Sequence, residues 1–261
     1  YRKDGIAFLG SDGDGIFRTV NRSKTWHASN VGLSGTSIQS ILVLPGFKSE
    51  SSVLCSVVDN GVFKSTDGGR SWVPAGAEQL GKLTLQALAA SPSETSGGRI
   101  FAGSETDGLW YSSDTGETWT QSAGLEGFSV NAIAVSPRYD SDSTVFAGTG
   151  EGGVFRSTDA GESWQKVTPD PDSHSVLSMV TLAEPGGKTL VLAGTFENGI
   201  LRSDDSGETW ESSSGQLSSQ NWLCFAISPN IDDDGVMLAG GTTSGLFKSA
   251  DGGATWGDPS K

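Results

Sequence analysis

The chain has 261 residues, with 17 basic side chains against 31 acidic ones, a formal net charge of −14 and 37 glycines. That balance argues against non-specific binding to nucleic acid or anionic membranes, which needs clustered Lys and Arg, and no run of about 18 apolar residues offers a membrane span. A hydrophobic content of 35% suits short strands joined by many tight turns, and no signal-peptide pattern starts at Tyr1.

In chain order, the first strand-like runs are 6–10, 15–19 and 25–28, and they close on Thr19-Val-Asn21-Arg-Ser23-Lys-Thr25-Trp26. This octapeptide returns as Ser65-Thr-Asp67-Gly-Gly69-Arg-Ser71-Trp72, then from Ser112 to Trp119, Ser157 to Trp164, Ser203 to Trp210 and Ser249 to Trp256. The six tryptophans stand 45–47 residues apart. A period of that length with several strands per unit predicts a radial β-repeat.

Between octapeptides the runs repeat. Inner strands are expected at 38–44, 85–91, 130–136, 176–182 and 222–228, and in the cleanest unit they are followed by 145–149, 153–157 and 163–167. The expectation is one all-β domain over residues 1–261: a six-bladed β-propeller of four-stranded antiparallel blades, the first lacking its inner strand. Nothing after Trp256 resembles that missing strand, and a piece of a larger ring stays open as the alternative. Cys55 aligns with Ala147 and Cys224 with Ala132, so both read as small core residues and not as a disulfide pair.

The octapeptide resembles the Asp-box, or BNR repeat, of sialidases, xyloglucanases, sortilin-type receptors and photosystem assembly factors, and the resemblance covers the whole chain. It implies a propeller in which the box lies on the turn between strands three and four, away from any catalytic centre. Turn chemistry agrees: Asp114 is placed to accept backbone N–H groups, Gly116 to supply positive φ, Thr118 or Ser71 to bond back, and Trp119 to pack between blades. The resemblance also implies an extracellular or periplasmic protein.

Chemistry is expected on the loops joining strands two and three, which form an acidic rim. Candidate ligand-binding residues are Asp12, Asp14, Asp59, Glu105, Asp107, Glu151 and Glu197, with Thr243-Ser244 the one loop lacking a carboxylate. Asp14-Gly15, Asn60-Gly61, Asp107-Gly108 and Asn198-Gly199 are dipeptides suited to type I′ hairpins, and solvated rim charge is the plainer reading of the rest. Trp222, at the mouth of an inner strand, is a candidate stacking platform for a sugar ring or a partner's side chain, against core filling. Asn230, Asp232 and Asp234, before Gly235, match the first half of an oxygen-rich calcium loop with no bidentate Glu to complete it. Ca2+ is the one cofactor considered. His27 and His174 stand in no ligand spacing, and the strand-three bases Arg18, Lys64, Arg156, Arg202 and Lys248 read as scaffold, with strand or turn carboxylates as partners.

Sialidases need an arginine triad and a tyrosine nucleophile, yet only Tyr1, Tyr111 and Tyr139 are present. Xyloglucanases take one catalytic Asp from each of two propellers, and the assembly factors offer basic patches. The expected function is therefore a non-catalytic binding or scaffold propeller with a protein or glycan ligand on the acidic face. A glycoside hydrolase or lyase using two rim carboxylates is the alternative. The unfinished first blade is expected to offer 6–10 as an edge for a partner strand.

Overall fold

The computed structural model describes residues 5–44, 52–92, 98–168, 174–213, 221–242 and 245–258. Its strands form six antiparallel sheets, the blades of a β-propeller. The first blade has three strands, Ala7–Gly10, Ile16–Thr19 and His27–Ala28, as the missing inner strand requires. Four complete blades follow, with inner strands Ile38–Val43, Leu85–Ala90, Val130–Val135 and Val176–Ala183. The sixth differs from expectation. It pairs Trp222–Ile227, Met237–Gly241 and Gly245–Ser249, and its outer strand shrinks to a single bridge between Lys248 and Gly257. Gly257, Asp258 and the following proline of the sequence are poor strand formers.

The chain divides into two compact units, Tyr1–Gly127 with blades one to three and Phe128–Lys261 with blades four to six. Within each unit the apolar clusters lie between successive blades. Leu54 and Val62 of blade two, for example, meet Leu85, Ile100, Ala102 and Trp119 of blade three. Phe146 and Val154 of blade four meet Val176, Val191, Ala193 and Leu201 of blade five.

Glycines make these joints possible. The glycine at the fifth position of the octapeptide lies under a strand-two side chain of the preceding blade. A Cβ at Gly69 would sit 2.2 Å from Phe8 Cε1, at Gly116 2.9 Å from Leu54 Cδ2, at Gly207 2.5 Å from Phe146 Cε1 and at Gly253 2.8 Å from Leu192 Cδ1. A second socket lies in strand two, where Gly10, Gly148 and Gly194 receive the first inner-strand residue of the next blade: Ile38, Val176 and Trp222.

The octapeptide itself is a closed hydrogen-bonded turn. In the third blade Ser112 Oγ donates to Asp114 Oδ1 at 2.7 Å and accepts from Gly116 N at 2.8 Å. Thr118 donates its N–H to Asp114 Oδ1 at 2.9 Å and its hydroxyl to Oδ2 at 2.6 Å. The same pattern recurs around Asp67, Asp159, Asp205 and Asp251. Burial alone would raise these carboxyls, but their hydrogen bonds outweigh it and draw Asp114, Asp159 and Asp205 down to about 2.

The strand-three bases divide between turn carbonyls and the expected carboxylates. Arg18 Nε donates to the Gly68 carbonyl at 2.8 Å and Arg156 to that of Ser206 at 2.9 Å, each in the octapeptide turn of the next blade. Lys64 reaches the same turn of blade three through Thr115 Oγ1 and Glu117. Arg202 pairs instead with Asp204 and, at 3.9 Å, Glu211 of its own blade.

Candidate functional site

The acidic loops are built from backbone geometry first. In blade two Val57 pairs with Gly61, and the left-handed residues between them are Asp59 (φ 56°) and Gly61 (φ 69°). Blade five repeats this with Glu197 (φ 61°) and Gly199 (φ 79°). The type I′ expectation fails here, because that turn needs positive φ at two consecutive residues and none of the four dipeptides has it. Asn60 and Asn198 instead donate their side-chain N–H to the carbonyls of Val58 and Phe196. An Asx-type bond of this kind holds the turn without a left-handed Asn.

Each unit carries its own set of rim carboxylates. In the first unit Asp12 accepts from the Ser37 hydroxyl, Asp59 from Thr84 Oγ1 at 2.8 Å and Asp107 from Thr106 Oγ1 at 2.7 Å. Those three are held by neighbours. Asp14 and Glu105, also in the first unit, and Glu151 and Glu197 in the second are exposed. Their loops are pinned through the backbone: Asp14 N donates to Ser11 Oγ, Glu105 N to the Thr84 carbonyl and Glu197 N to Asn221 Oδ1. Among the described residues no Lys or Arg pairs with any of the seven, and no three His, Cys, Asp or Glu side chains gather around a common point for a metal ion. Thr243-Ser244 lie outside the described residues.

Two candidates change role. Trp222 has no exposed ring face. It is fully buried, seated on Gly194 and packed against Phe247 and Trp256 at centroid distances of 5.3 and 6.5 Å. The largest inner-strand residue thus sits over a strand-two glycine, at the position where other blades have Ile38, Leu85, Val130 or Val176. The expected calcium loop is a single helical turn, Ile231–Asp234, with Asn230 at its start. Asp234 spends its oxygens on Ser228 Oγ (2.7 Å) and Val236 N (2.9 Å), which hold its pKa low, and Asp232 is exposed. Asp142 plays the same part in blade four, taking Ser136 Oγ and Thr144 N. An Asp thus closes the same strand connection in both blades, a signal present in the sequence as Ser136…Asp142 and Ser228…Asp234.

The cysteines also part company. Cys55 is buried, which pushes its thiol up to about 12, whereas Cys224 is exposed and so corrects its expected place in the core. A small cavity of about 180 Å³ lies in blade five and its approach, lined by Thr168, His174, Asn198 and Trp210 among others. It places His174 near a ring that sequence spacing gave no reason to join.

Six antiparallel blades of three or four strands, with short polar loops at the strand-two to strand-three hairpins, define the protein as an all-β propeller. It belongs to the DUF6242 beta propeller domain family, whose model matches residues 6–212. No curated protein shows a significant sequence match. Among solved structures, the GH74 xyloglucanase from Xanthomonas campestris is similar at 18% identity and a TM-score of 0.71, over 98% of this chain and 43% of that one. YCF48 bound to D1 peptide is similar at 18% and 0.68, over 97% and 77%. The extracellular domain of a one component system from B. thetaiotaomicron is similar at 15% and 0.67, over 94% and 31%. The chain thus spans less than half the length of the GH74 structures it matches. At these identities the likeness is one of fold.

Proposed function

We propose that this propeller is a non-catalytic, extracellular or periplasmic binding module of the Asp-box kind, taking a protein or glycan ligand on its acidic rim. The observation that carries the reading is the state of Asp14, Glu105, Glu151 and Glu197. All four are exposed carboxylates with no hydrogen-bonding or ionic partner for the side chain among the described residues, on loops whose backbones are fixed. Unpaired charge on a pinned loop attracts Lys, Arg or hydroxyl groups at little ordering cost. Bond-breaking chemistry at the rim is the poorer reading. Asp12, Asp59 and Asp107 are already engaged as acceptors by neighbouring hydroxyls.

A peptide-bound neighbour of the same fold supports a protein ligand. So does the inner edge of Ala7–Gly10, which pairs with no described strand. The test is a binding screen of Lys-rich peptides, acidic peptides and neutral glycans against the chain and the variant Asp14→Asn/Glu105→Gln/Glu151→Gln/Glu197→Gln. Saturable binding of a basic peptide or a glycan, weakened at least about tenfold in the variant, is expected. Equal binding by both proteins, or none by either, overturns the reading.

A further inference from the structure

We infer that the joint between blades five and six binds a small neutral polyol, a sugar of one or two rings, in a cavity at the strand ends opposite the acidic rim. The cavity has a volume of about 670 Å³ and is lined by Leu182, Ala183, Arg202, Ile231, Asp232 and Gly252 among others. That size is within the range of small-molecule sites. All of these residues belong to the second compact unit.

The cavity lies where two contacts of the preceding joint are missing. Between blades four and five, Arg156 donates to the Ser206 carbonyl at 2.9 Å. Arg138, in the connection after the inner strand of blade four, donates to the carbonyls of Lys188 and Glu184, both at 2.6 Å. The next joint has neither bridge. The corresponding connection of blade five reads Glu184-Pro-Gly-Gly-Lys188 and carries no arginine. Arg202, aligned with Arg156, turns back to Asp204 and Glu211 of its own blade. Asp204 is the departure that draws it there, since the second octapeptide position is Thr66, Ser113, Thr158 and Ala250 in blades two, three, four and six.

A donor and an acceptor that meet directly at other joints are thereby left open. Only Nη1 of Arg202 is engaged, and among the described residues neither Nε, which is buried, nor Nη2 has a partner. The Gly252 carbonyl corresponds to those of Gly68 and Ser206, which take Arg18 and Arg156, yet it accepts from no described residue. A molecule that completes this joint must accept from the guanidinium and donate to the carbonyl. An anion brings no donor and would face the exposed Asp232. A metal ion brings no acceptor. A hydroxyl does both, and adjacent hydroxyls on one ring supply a further donor to Asp232. The C–H face of such a ring suits Leu182 and Ile231, which are half-buried against the core of blades five and six.

The test is saturation-transfer NMR of the full chain with neutral mono- and disaccharides and with the matching uronic acids. At least one neutral sugar is expected to bind saturably, and its uronic acid about tenfold more weakly through like-charge repulsion. The variant Asp14→Asn/Glu105→Gln/Glu151→Gln/Glu197→Gln should bind that sugar as the parent does, which separates this site from the rim. Asp204→Thr with Glu211→Gln installs the residues found at Thr158 and Gln165 and frees Arg202 to reach Gly252 directly. It should weaken sugar binding about tenfold or more. Ala183→Trp, at an exposed lining position, fills the cavity and should do the same, which keeps the test decisive should the double variant fail to fold. No binding by any neutral sugar overturns the inference and leaves the joint to water. Equal binding of the uronic acid, loss of binding in the rim variant, or full binding by the cavity variants that fold also overturns it.

Discussion

A single hydrogen-to-methyl change is enough to disturb this molecule at its sockets. Gly207 combines φ 81° with a preceding-blade ring so close that a Cβ would lie 2.5 Å from it. Gly207→Ala is therefore expected to lose about 1–3 kcal/mol through overpacking, with backbone strain added. Gly127 separates the two effects, because it has φ 80° with nothing within 4 Å of a Cβ. Gly127→Ala should cost only the left-handed penalty, about 1–2 kcal/mol. Urea unfolding of both variants checks this, and equal losses would remove the socket from the account. Trp222→Ala should cost about 3–5 kcal/mol and leave binding at the rim unchanged. The sequence showed Trp222 as an aromatic out of pattern but not the glycine 28 positions earlier that makes room for it, since a socket is visible only once two blades are side by side.

At the level of the element, the octapeptide turn ties stability to pH. Asp114, Asp159 and Asp205 fall from the usual 3.8 to about 2 in the folded chain. Their contribution is thus present above about pH 4 and lost as the pH falls toward 2. Acid titration followed by tryptophan fluorescence should show unfolding within that window. The first blade has Asn21 in place of the aspartate, with Asn21 Oδ1 accepting from Thr25 N at 3.0 Å. Asn21→Asp should stabilise the protein by about 1 kcal/mol at neutral pH and by nothing near pH 2. A gain that persists at pH 2 would refute the assignment. These turns and the inner strands were legible in the sequence to within a residue or two, because the octapeptide and the apolar runs are local signals repeated many times. The helical turn Ile231–Asp234 was not. Its Asn-x-Asp-x-Asp-Gly spelling also fits a metal loop, and the bonds from Ser228 and Val236 that engage Asp234 within the helical turn are not visible in the letters.

For the molecule as a whole, a net charge of −14 sets both solubility and the response to salt. Self-repulsion among carboxylates that lack basic partners should be screened as ionic strength rises. The melting temperature is expected to increase between about 0.02 and 0.5 M NaCl, while binding of a cationic ligand at the rim should weaken over the same range. A melting temperature that fell with salt would mean that attractive ion pairs dominate instead. The composition gave this balance, and the loops' acidity was plain in the letters. What the letters left out was which carboxylates are free, because that depends on hydroxyls such as Ser37 and Thr84 contributed from the following blade.

The joint has one more consequence, in heredity. Phe8 and Gly69, Leu54 and Gly116, Phe146 and Gly207, Leu192 and Gly253 each lie more than one full repeat apart along the chain, so no blade contains both halves of a contact it makes. A gene copying error that duplicates or deletes a whole repeat among blades two to six leaves each of these plugs facing a glycine, wherever within the repeat the break falls. An error of half a repeat leaves none correctly matched at the break. The protein can therefore change its number of blades in single genetic steps, while its individual glycines are held fixed by neighbours that a different stretch of the gene encodes.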